Sequence, residues 1–396
     1  MLGWARRRAK QLRDTMALPP SARAARDRDR EGPRQVDFGA RAAVDACAGW
    51  LATAQDRSTT SDGGVARHYS LVSGWGASYP ETTGYIVPTV CDLARLGKSP
   101  ERLSRARGML DWLVSIQLES GAFQGGKVDS LPVVPVTFNT GQILLGLARG
   151  VVEFGEYQES MRRAADWLVA TQDPDGAWRK FPTPFARPGE KAYETHVAWG
   201  LIEAARCEAG RGYEQAALAN VSWALGQQRE NGWVASCCLS DPSRPLTHTL
   251  GYWLRGVLEA YRFFERPGFL EAACRTADSL VGVLGNDGFL AGRFEEDWTP
   301  AVRWACLTGS VQIAHCWLLL HQITGNPVYR DAGYRANAFV RRTIQIEGEE
   351  GVRGGVQGSF PIDGEYGRFE YLNWAAKFFV DSQLLELQVR GEIVGG

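Results

Sequence analysis

The chain has 396 residues, of which 44% are hydrophobic and 22% are charged, an ordinary globular composition that argues against a disordered or fibrous protein. Its 44 Lys and Arg residues balance 45 Asp and Glu residues, so no overall field would attract nucleic acid or an anionic membrane. No apolar run is long enough to span a membrane and no secretory signal is recognised, so we expect a cytoplasmic protein.

Residues 1–35 come first along the chain, and their composition differs from the rest. They hold nine Arg and one Lys against three Asp and one Glu, with three prolines between them. This composition predicts a basic N-terminal arm that is peripheral to the fold. An alternative is that Leu2, Trp4 and Leu12 form a basic amphipathic turn that contacts a membrane surface or a partner protein.

From Val36 onward the chain repeats one pattern six times. An amphipathic helix ends near Gln, a Gly-containing turn and a loop follow, and then comes a second, more apolar helix. Gly in the turn can adopt the positive φ that ends a helix. The first helices of the six units end at Gln55, Gln117, Gln172, Gln228, Leu284 and Gln345.

The second helices, such as FNTGQILLGLARGVVEF, are apolar nearly all round, whereas the first helices carry charged residues on one face. A helix without a polar face is normally buried. Six such hairpins close most economically into a double ring with the apolar helices inside. The sequence therefore predicts an all-α fold, an (α/α)6 toroid, with residues 36–396 as one domain after the arm 1–35.

In such a ring every long loop joins an outer helix to an inner helix at the same end. Polar residues in the first turns of the inner helices therefore converge on the axis, where concave pockets form. Unpaired charge in a helical core is costly, so these residues are candidate binding residues. They are Glu81, Tyr85, Asn139, Gln142, Glu194, His196, His248, Tyr252, Gln312, Glu370, Asn373 and Lys377.

The long loops add interleaved aromatic, cationic and acidic residues. An aromatic face suits the CH face of a sugar ring, and Arg can hold a carboxylate or phosphate with two hydrogen bonds. The mixture favours an anionic saccharide, while the alternative is an ordered surface loop bound by its own salt bridges. The candidates are His68, Arg293, Trp298, Arg303, Arg353, Asp363, Glu365, Tyr366 and Arg368.

Metal chemistry is only weakly indicated. The eight cysteines are expected to be reduced thiols, and neither CxxC nor HExxH occurs. We therefore expect no metal and no cofactor.

The turns QLESGAFQGG, QDPDGAW and QQRENGW resemble the QW and GGFxGG repeats of the terpenoid cyclase and protein prenyltransferase superfamily. The resemblance covers about Val36 to Glu386 and implies the toroid. The Asp-rich DxDD box of squalene-type cyclases is absent. The zinc signatures of prenyltransferase β-subunits and lanthionine cyclases are absent as well, which counts against those three activities.

The same toroid carries six-hairpin glycosidases, unsaturated glucuronyl hydrolases, polysaccharide lyases and the helical domain of glucuronyl C5-epimerases. The segments YPETTGY, FNTGQ and SFPIDGEYGRFEYLNWAAKFF resemble uncharacterised bacterial proteins associated with polysaccharide biosynthesis. This resemblance implies an association with polysaccharide biosynthesis but no particular reaction mechanism.

The leading hypothesis is an enzyme that acts on an anionic, uronate-type saccharide as a lyase or C5-epimerase. Both reactions need a base beside a carboxylate, a cation that stabilises the enolate, and an acid. The candidate bases are His248 and Tyr366, the candidate acids are Glu370 and His196, and the candidate cations are Arg293, Arg368 and Lys377.

The sequence is compatible with three further hypotheses. If Glu81 and Glu370 flank the scissile bond, hydrolysis becomes the better interpretation. A terpenoid-cyclase-like enzyme would instead hold an isoprenoid in an aromatic chamber. A glycan-binding scaffold would bind without turnover. A dry aromatic chamber favours the isoprenoid, and an open polar cleft favours the sugar.

Overall fold

The computed structural model describes residues 18–184 and 186–394. Helices dominate this part of the chain, and they are numbered here in chain order. They are α1 (Pro20–Arg30), α2 (Ala40–Asp56), α3 (Pro80–Gly97), α4 (Pro100–Ser115), α5 (Thr137–Phe154), α6 (Gln158–Thr171), α7 (Thr195–Cys207), α8 (Tyr213–Leu225), α9 (Thr247–Phe264), α10 (Pro267–Gly282), α11 (Leu307–Thr324), α12 (Pro327–Arg341) and α13 (Asn373–Val389). A 3-10 turn, Ala192–Glu194, precedes α7.

Short strands lie in the long loops. They are β1 (His68–Ser70), β2 (Gly74–Trp75), β3 (Ala305–Cys306), β4 (Ser359–Phe360) and β5 (Glu370–Leu372). β1 lies between β2 and β5 and is antiparallel to both, and β3 pairs with β4. The β1–β5 register places Ser70 opposite Glu370, so the first long loop is joined to the last.

The inner helices form a closed ring. α3, α5, α7, α9, α11 and α13 each contact the next in order, and α13 contacts α3. The outer ring consists of α2, α4, α6, α8, α10 and α12. The prediction of an all-α (α/α)6 toroid is confirmed.

The outer helices pack differently from the grouping that the sequence repeat implied. Each of α4, α6, α8, α10 and α12 packs most extensively on the inner helix that precedes it, and α2 packs on α13. The short links at 98–99, 265–266 and 325–326 hold consecutive helices side by side, whereas the long loops allow the helices they join to separate. The sequence repeat groups an outer helix with the inner helix that follows it, whereas the packed hairpin consists of an inner helix and the outer helix that follows it.

The repeated Gln and Gly residues explain why the outer ring is regular. The Gln172 side-chain amide donates hydrogen bonds to the carbonyl oxygens of Gly176, at 3.0 Å, and of Ala216 on the next outer helix, at 2.9 Å. Gly176 has φ of +95°, and a Cβ there would meet the Ala219 carbonyl group. Gln117 makes the same pair of bonds one unit earlier. The repeat residues identified in the sequence are thus structural.

The described part of the predicted arm, residues 18–35, packs on the toroid. α1 buries Ala22 and Ala25, because small side chains allow close contact. The backbone NH of Arg34 donates to the Arg342 carbonyl group. The described part of this stretch therefore contacts the toroid, and the division into an arm and one toroid domain stays a prediction. Residues 1–17, with the predicted amphipathic turn, lie outside the described residues.

Candidate functional site

A cavity of about 690 Å³ lies where the first turns of the inner helices meet the long loops. Its size is that of a typical small-ligand pocket. Aromatic rings make up much of the wall, and cations, carboxyl groups and two histidines lie among them. The principal wall residues are Arg67, His68, Trp75, Tyr79, Glu81, Tyr85, Lys127, Asp129, Phe138, Tyr193, His248, Tyr252, Tyr366 and Trp374.

His248, in the first turn of α9, lines this cavity. Its Nδ1 lies 2.7 Å from Oε1 of Gln312 on α11. An Nδ1–H that donates to this oxygen leaves the lone pair on Nε2. Burial lowers the pKa of His248 to about 4, so the imidazole is neutral at pH 7. The arrangement is that of a general base with a fixed tautomer.

Glu81, in the first turn of α3, supplies an acid. Its carboxyl group makes no hydrogen bond or ion pair with any residue that the structure describes, and it lines the cavity. Burial raises the pKa of Glu81 to about 8, although the positive charge of Arg67 opposes the shift. The carboxyl group is therefore protonated at neutral pH and can donate a proton.

Arg67 places a cation in the wall between two partners. Its Nη1 donates to Oε2 of Glu370 at 2.9 Å and to Nδ1 of His68 at 2.7 Å. Because Nδ1 of His68 accepts, the proton of the neutral ring lies on Nε2. Burial lowers the pKa of His68, while the charge of Glu370 opposes that shift. The pairing of β1 with β5 brings these residues together.

Tyr252 separates His248 from the second predicted histidine. The Tyr252 ring centroid lies 4.4 Å from that of His248 and 4.5 Å from that of His196. His196 bonds Gln142 through Nδ1 at 2.6 Å, but its Nε2 is buried without a partner among the residues described. His196 is fully buried and does not line the cavity, so the two predicted histidines are not brought together in its wall.

Six of the residues predicted from the sequence meet at the cavity, and they come from both the helix starts and the loops. A helix directs successive side chains about 100° apart, so only part of each first turn faces the mouth. The six residues are His68, Glu81, Tyr85, His248, Tyr252 and Tyr366. Seven others are buried but do not line the cavity: Asn139, Gln142, Glu194, His196, Gln312, Asn373 and Lys377. Lys377 instead pairs with Asp381 at 2.6 Å.

The remaining predicted loop residues lie outside the cavity wall. Arg303, Arg353, Glu365 and Arg368 are exposed. Arg293 donates to the Arg244 carbonyl group, Asp363 pairs with Arg30, and Trp298 packs on Trp233. Glu370 supports Arg67 beside the wall. The predicted carboxylate-binding set of Arg293, Arg368 and Lys377 is therefore not assembled, because the loop backbones and the α13 ion pair direct these side chains elsewhere.

Several residues that line the cavity were not among the candidates identified from the sequence. Arg67 and Tyr79 flank predicted residues in the first long loop, and Lys127 and Asp129 follow a Gly-rich turn. Their position in a long loop was the only signal available. Trp374 approaches Arg67, with 5.1 Å between the guanidinium carbon and the ring centroid, and this contact depends on the β1–β5 pairing.

No group of three or more His, Cys, Asp or Glu side chains within the described ranges is arranged as a metal site. Separately, none of the helices described is long and apolar enough to cross a membrane.

The comparisons with known proteins give a fold and no family. No protein-family model matches the sequence, and no curated protein matches it. An unsaturated glucuronyl hydrolase specific for heparin has a similar structure, with a TM-score of 0.70 at 14% identity, covering 88% of this chain and 97% of that one.

Two further solved structures are similar. For a cellobiose 2-epimerase from Bacillus thermoamylovorans the TM-score is 0.65 at 11% identity, with 85% of this chain and 95% of that one covered. For a D-mannose isomerase the TM-score is 0.68 at 11% identity, with 89% of this chain and 97% of that one covered. At such identities the likeness shows the fold. The resemblance to six-hairpin carbohydrate-active enzymes is thus confirmed at the level of architecture, whereas the link to polysaccharide biosynthesis stays a prediction.

Proposed function

We propose that the chain is a sugar epimerase or isomerase that transfers a proton at a carbon next to a carbonyl group. The observation that carries this proposal is His248, which lines the cavity while its Nδ1 lies 2.7 Å from Oε1 of Gln312, a contact that leaves Nε2 unprotonated. A neutral imidazole of fixed tautomer is suited to removing a proton from carbon. The epimerase and isomerase among the similar structures support this reaction class.

The other wall residues supply the remaining parts of such a reaction. As His248 takes the proton from carbon, protonated Glu81 donates its proton to the carbonyl oxygen and an enediol forms. The charge of Arg67 stabilises the oxygen while negative charge develops. The protonated His248 then returns a proton to carbon while the Glu81 carboxylate takes a proton back from an enediol oxygen, so that the carbonyl group forms again and both side chains recover their starting states. Return to the neighbouring carbon gives the isomer, and return to the opposite face of the same carbon gives the epimer.

The charges of the cavity favour a neutral sugar over the uronate that the sequence suggested. Arg67 pairs with Glu370 at 2.9 Å, and Lys127 pairs with Asp129 at 3.5 Å. Each of these wall cations therefore has a carboxylate partner. A uronate lyase or C5-epimerase is the second candidate, because Arg67 retains further NH groups and could bind a carboxylate with the same base in place.

An isoprenoid cyclase, a glycosidase and a glycan-binding scaffold have less support. Ionisable groups are spread through the cavity wall, which disfavours a dry chamber for an isoprenoid. Hydrolysis through Glu81 and Glu370 would require Glu370 to leave its ion pair with Arg67. A glycan-binding scaffold would not need an uncompensated basic nitrogen and a protonated acid in one pocket.

The test is proton exchange in heavy water. The protein is incubated with neutral aldoses, ketoses and disaccharides, and separately with uronate oligosaccharides, and the products are followed by NMR. We expect deuterium at the carbon next to the carbonyl of a neutral sugar, and we expect His248→Asn to abolish it. His321→Asn is the matched control, because His321 lies outside the cavity wall and its side chain bonds only the Asn326 carbonyl group among the residues described.

Four different outcomes would contradict the proposal. Full exchange with His248→Asn would remove His248 from the mechanism. Deuterium or an unsaturated product only with uronates would select the second candidate. Release of a sugar without exchange would indicate hydrolysis, and binding without any product would indicate a scaffold.

A further inference from the structure

One loop, residues 359–370, brings two site residues to the cavity from outside the helical ring. Tyr366 lines the cavity, and Glu370 at the end of the loop holds Arg67. The Ser359 hydroxyl group donates to the Tyr366 carbonyl oxygen at 2.7 Å and accepts from the Tyr366 NH at 3.1 Å. The position of Tyr366 therefore depends on the path of this loop.

The middle of the same loop is bonded to the N-terminal helix. Oδ2 of Asp29 on α1 accepts a hydrogen bond from the backbone NH of Ile362 at 2.9 Å. Asp29 is 5% exposed and Ile362 is fully buried, so water cannot readily replace the bond. The Ile362 carbonyl oxygen then accepts from the NH of Phe369 at 2.9 Å, directly before Glu370. The hydrogen bond from Ile362 to Asp29 is therefore linked, through the Ile362 carbonyl group and Phe369, to the end of the loop at Glu370.

We propose that Asp29 is a positioning residue of the cavity: it fixes Ile362, and through the loop it holds Tyr366 and Glu370 in place. Tyr366 in turn accepts a hydrogen bond from Nε1 of Trp374 at 2.8 Å, and its ring centroid lies 5.5 Å from that of His248. Loss of the Asp29 bond loosens this wall without touching the base itself. Helix α1 then contributes to the geometry of the cavity, although it does not line the cavity itself.

The first test does not need a substrate. Hydrogen exchange of the intact protein is measured by mass spectrometry for peptides that cover residues 357–372. We expect Asp29→Ala to speed exchange in this segment by about tenfold, with the rest of the ring unchanged. Asp29→Asn keeps an oxygen acceptor and should restore most of the protection. Asp27→Ala is the matched control, because Asp27 lies on the same helix and, within the described part of the chain, pairs only with Arg26 and Arg30, outside the loop.

The second test rests on the proposed function and uses the sugar identified above. Asp29→Ala should raise KM by roughly threefold to tenfold, with a smaller effect on kcat, because the wall and not the base is disturbed. Asp29→Asn should return KM towards the wild-type value. If no sugar is turned over, the proposed function fails while the exchange experiment still decides the role of Asp29.

Two results would overturn the proposal. One is unchanged exchange across residues 357–372 in Asp29→Ala. The other is faster exchange throughout the ring, which would make Asp29 a general stability residue. If Asp29→Ala does not fold, Asp29→Glu, which displaces the carboxylate by one methylene group, is measured instead, with the same expected local change.

Discussion

At the residue scale, burial sets the protonation states of two groups in opposite directions. His248 and Glu81 occupy first turns of different inner helices, and both lose solvent. Loss of solvent disfavours the charged form of each group, so it lowers the pKa of the imidazole to about 4 and raises that of the carboxyl group to about 8. A base and an acid therefore coexist at neutral pH.

The pH dependence of activity follows from these directions. His248 is an active base only where it is unprotonated, so kcat/KM should rise with pH through the pKa of about 4. Glu81 is an active acid only where it is protonated, so kcat/KM should fall above about pH 8. A pH–rate profile checks both limbs. In Glu81→Gln the rate should drop and the alkaline limb should disappear, whereas an unchanged alkaline limb would assign it to another group.

The hydrogen bond from His248 to Gln312 offers a second prediction. Gln312→Leu removes the acceptor that sets the tautomer, and we expect kcat to fall by about tenfold to a hundredfold with little change in KM. Steady-state kinetics measure the split. The chain contains its own control: Gln142→Leu removes the same bond from His196, which does not reach the cavity, and kcat should stay near the wild-type value. Equal losses in the two variants would show a packing effect.

At the element scale, glycines decide how closely the inner helices approach. A Cβ at Gly146 on α5 would meet the carbonyl oxygen of Gly84 on α3, and one at Gly200 on α7 would meet that of Gly141 on α5. Adjacent inner helices thus pack almost backbone to backbone. This close packing keeps the polar first turns near the axis, where they can form one wall.

Adding a methyl group tests this packing. We expect Gly146→Ala to lower the free energy of unfolding by about 1–3 kcal/mol, because backbone must move to accept it. Gly49 on α2 is exposed with open space around it, so Gly49→Ala should raise the free energy by roughly 0.5–1 kcal/mol. Denaturant unfolding of the two variants compares them. Similar effects of the same sign would refute the close-approach argument.

At the scale of the whole molecule, the ring must be closed between its first and last units. Asp37, just before α2, accepts hydrogen bonds from Arg341 at the end of α12, with Nη2 to Oδ2 at 2.7 Å. Arg341 is 4% exposed and also pairs with Glu386 of α13. Arg57 and Glu350 form a second link across the same closure, but both side chains are about half exposed.

The two links should differ in their contributions to stability. Asp37→Ala removes an acceptor from a buried cation, and we expect the free energy of unfolding to fall by about 2 kcal/mol. Glu350→Ala removes an exposed pair, and the change should stay below about 1 kcal/mol. Chemical denaturation at pH 7 measures both. A larger loss with Glu350→Ala would contradict the role assigned to the buried link.

The sequence by itself determined the architecture and the end of the ring at which the candidate cavity lies. Six repeats with one amphipathic and one apolar helix have few ways to bury their apolar faces, so the all-α toroid could be predicted. The same periodicity placed polar residues in the first turns, and His248, Glu81 and Tyr252 were identified there. Hydrophobic pattern and turn residues are local properties, which a sequence displays directly.

Only the tertiary structure decided which polar residues face the cavity and what charge they carry. His196 and His248 look alike in sequence, yet His196 is fully buried beside Tyr252 and His248 lines the cavity. Arg67 reaches Glu370 because β1 pairs with β5 across the closure of the ring, a contact between distant parts of the chain. Side-chain direction, strand pairing and burial depend on the assembled ring, and they set the partners and pKa values on which the chemistry depends.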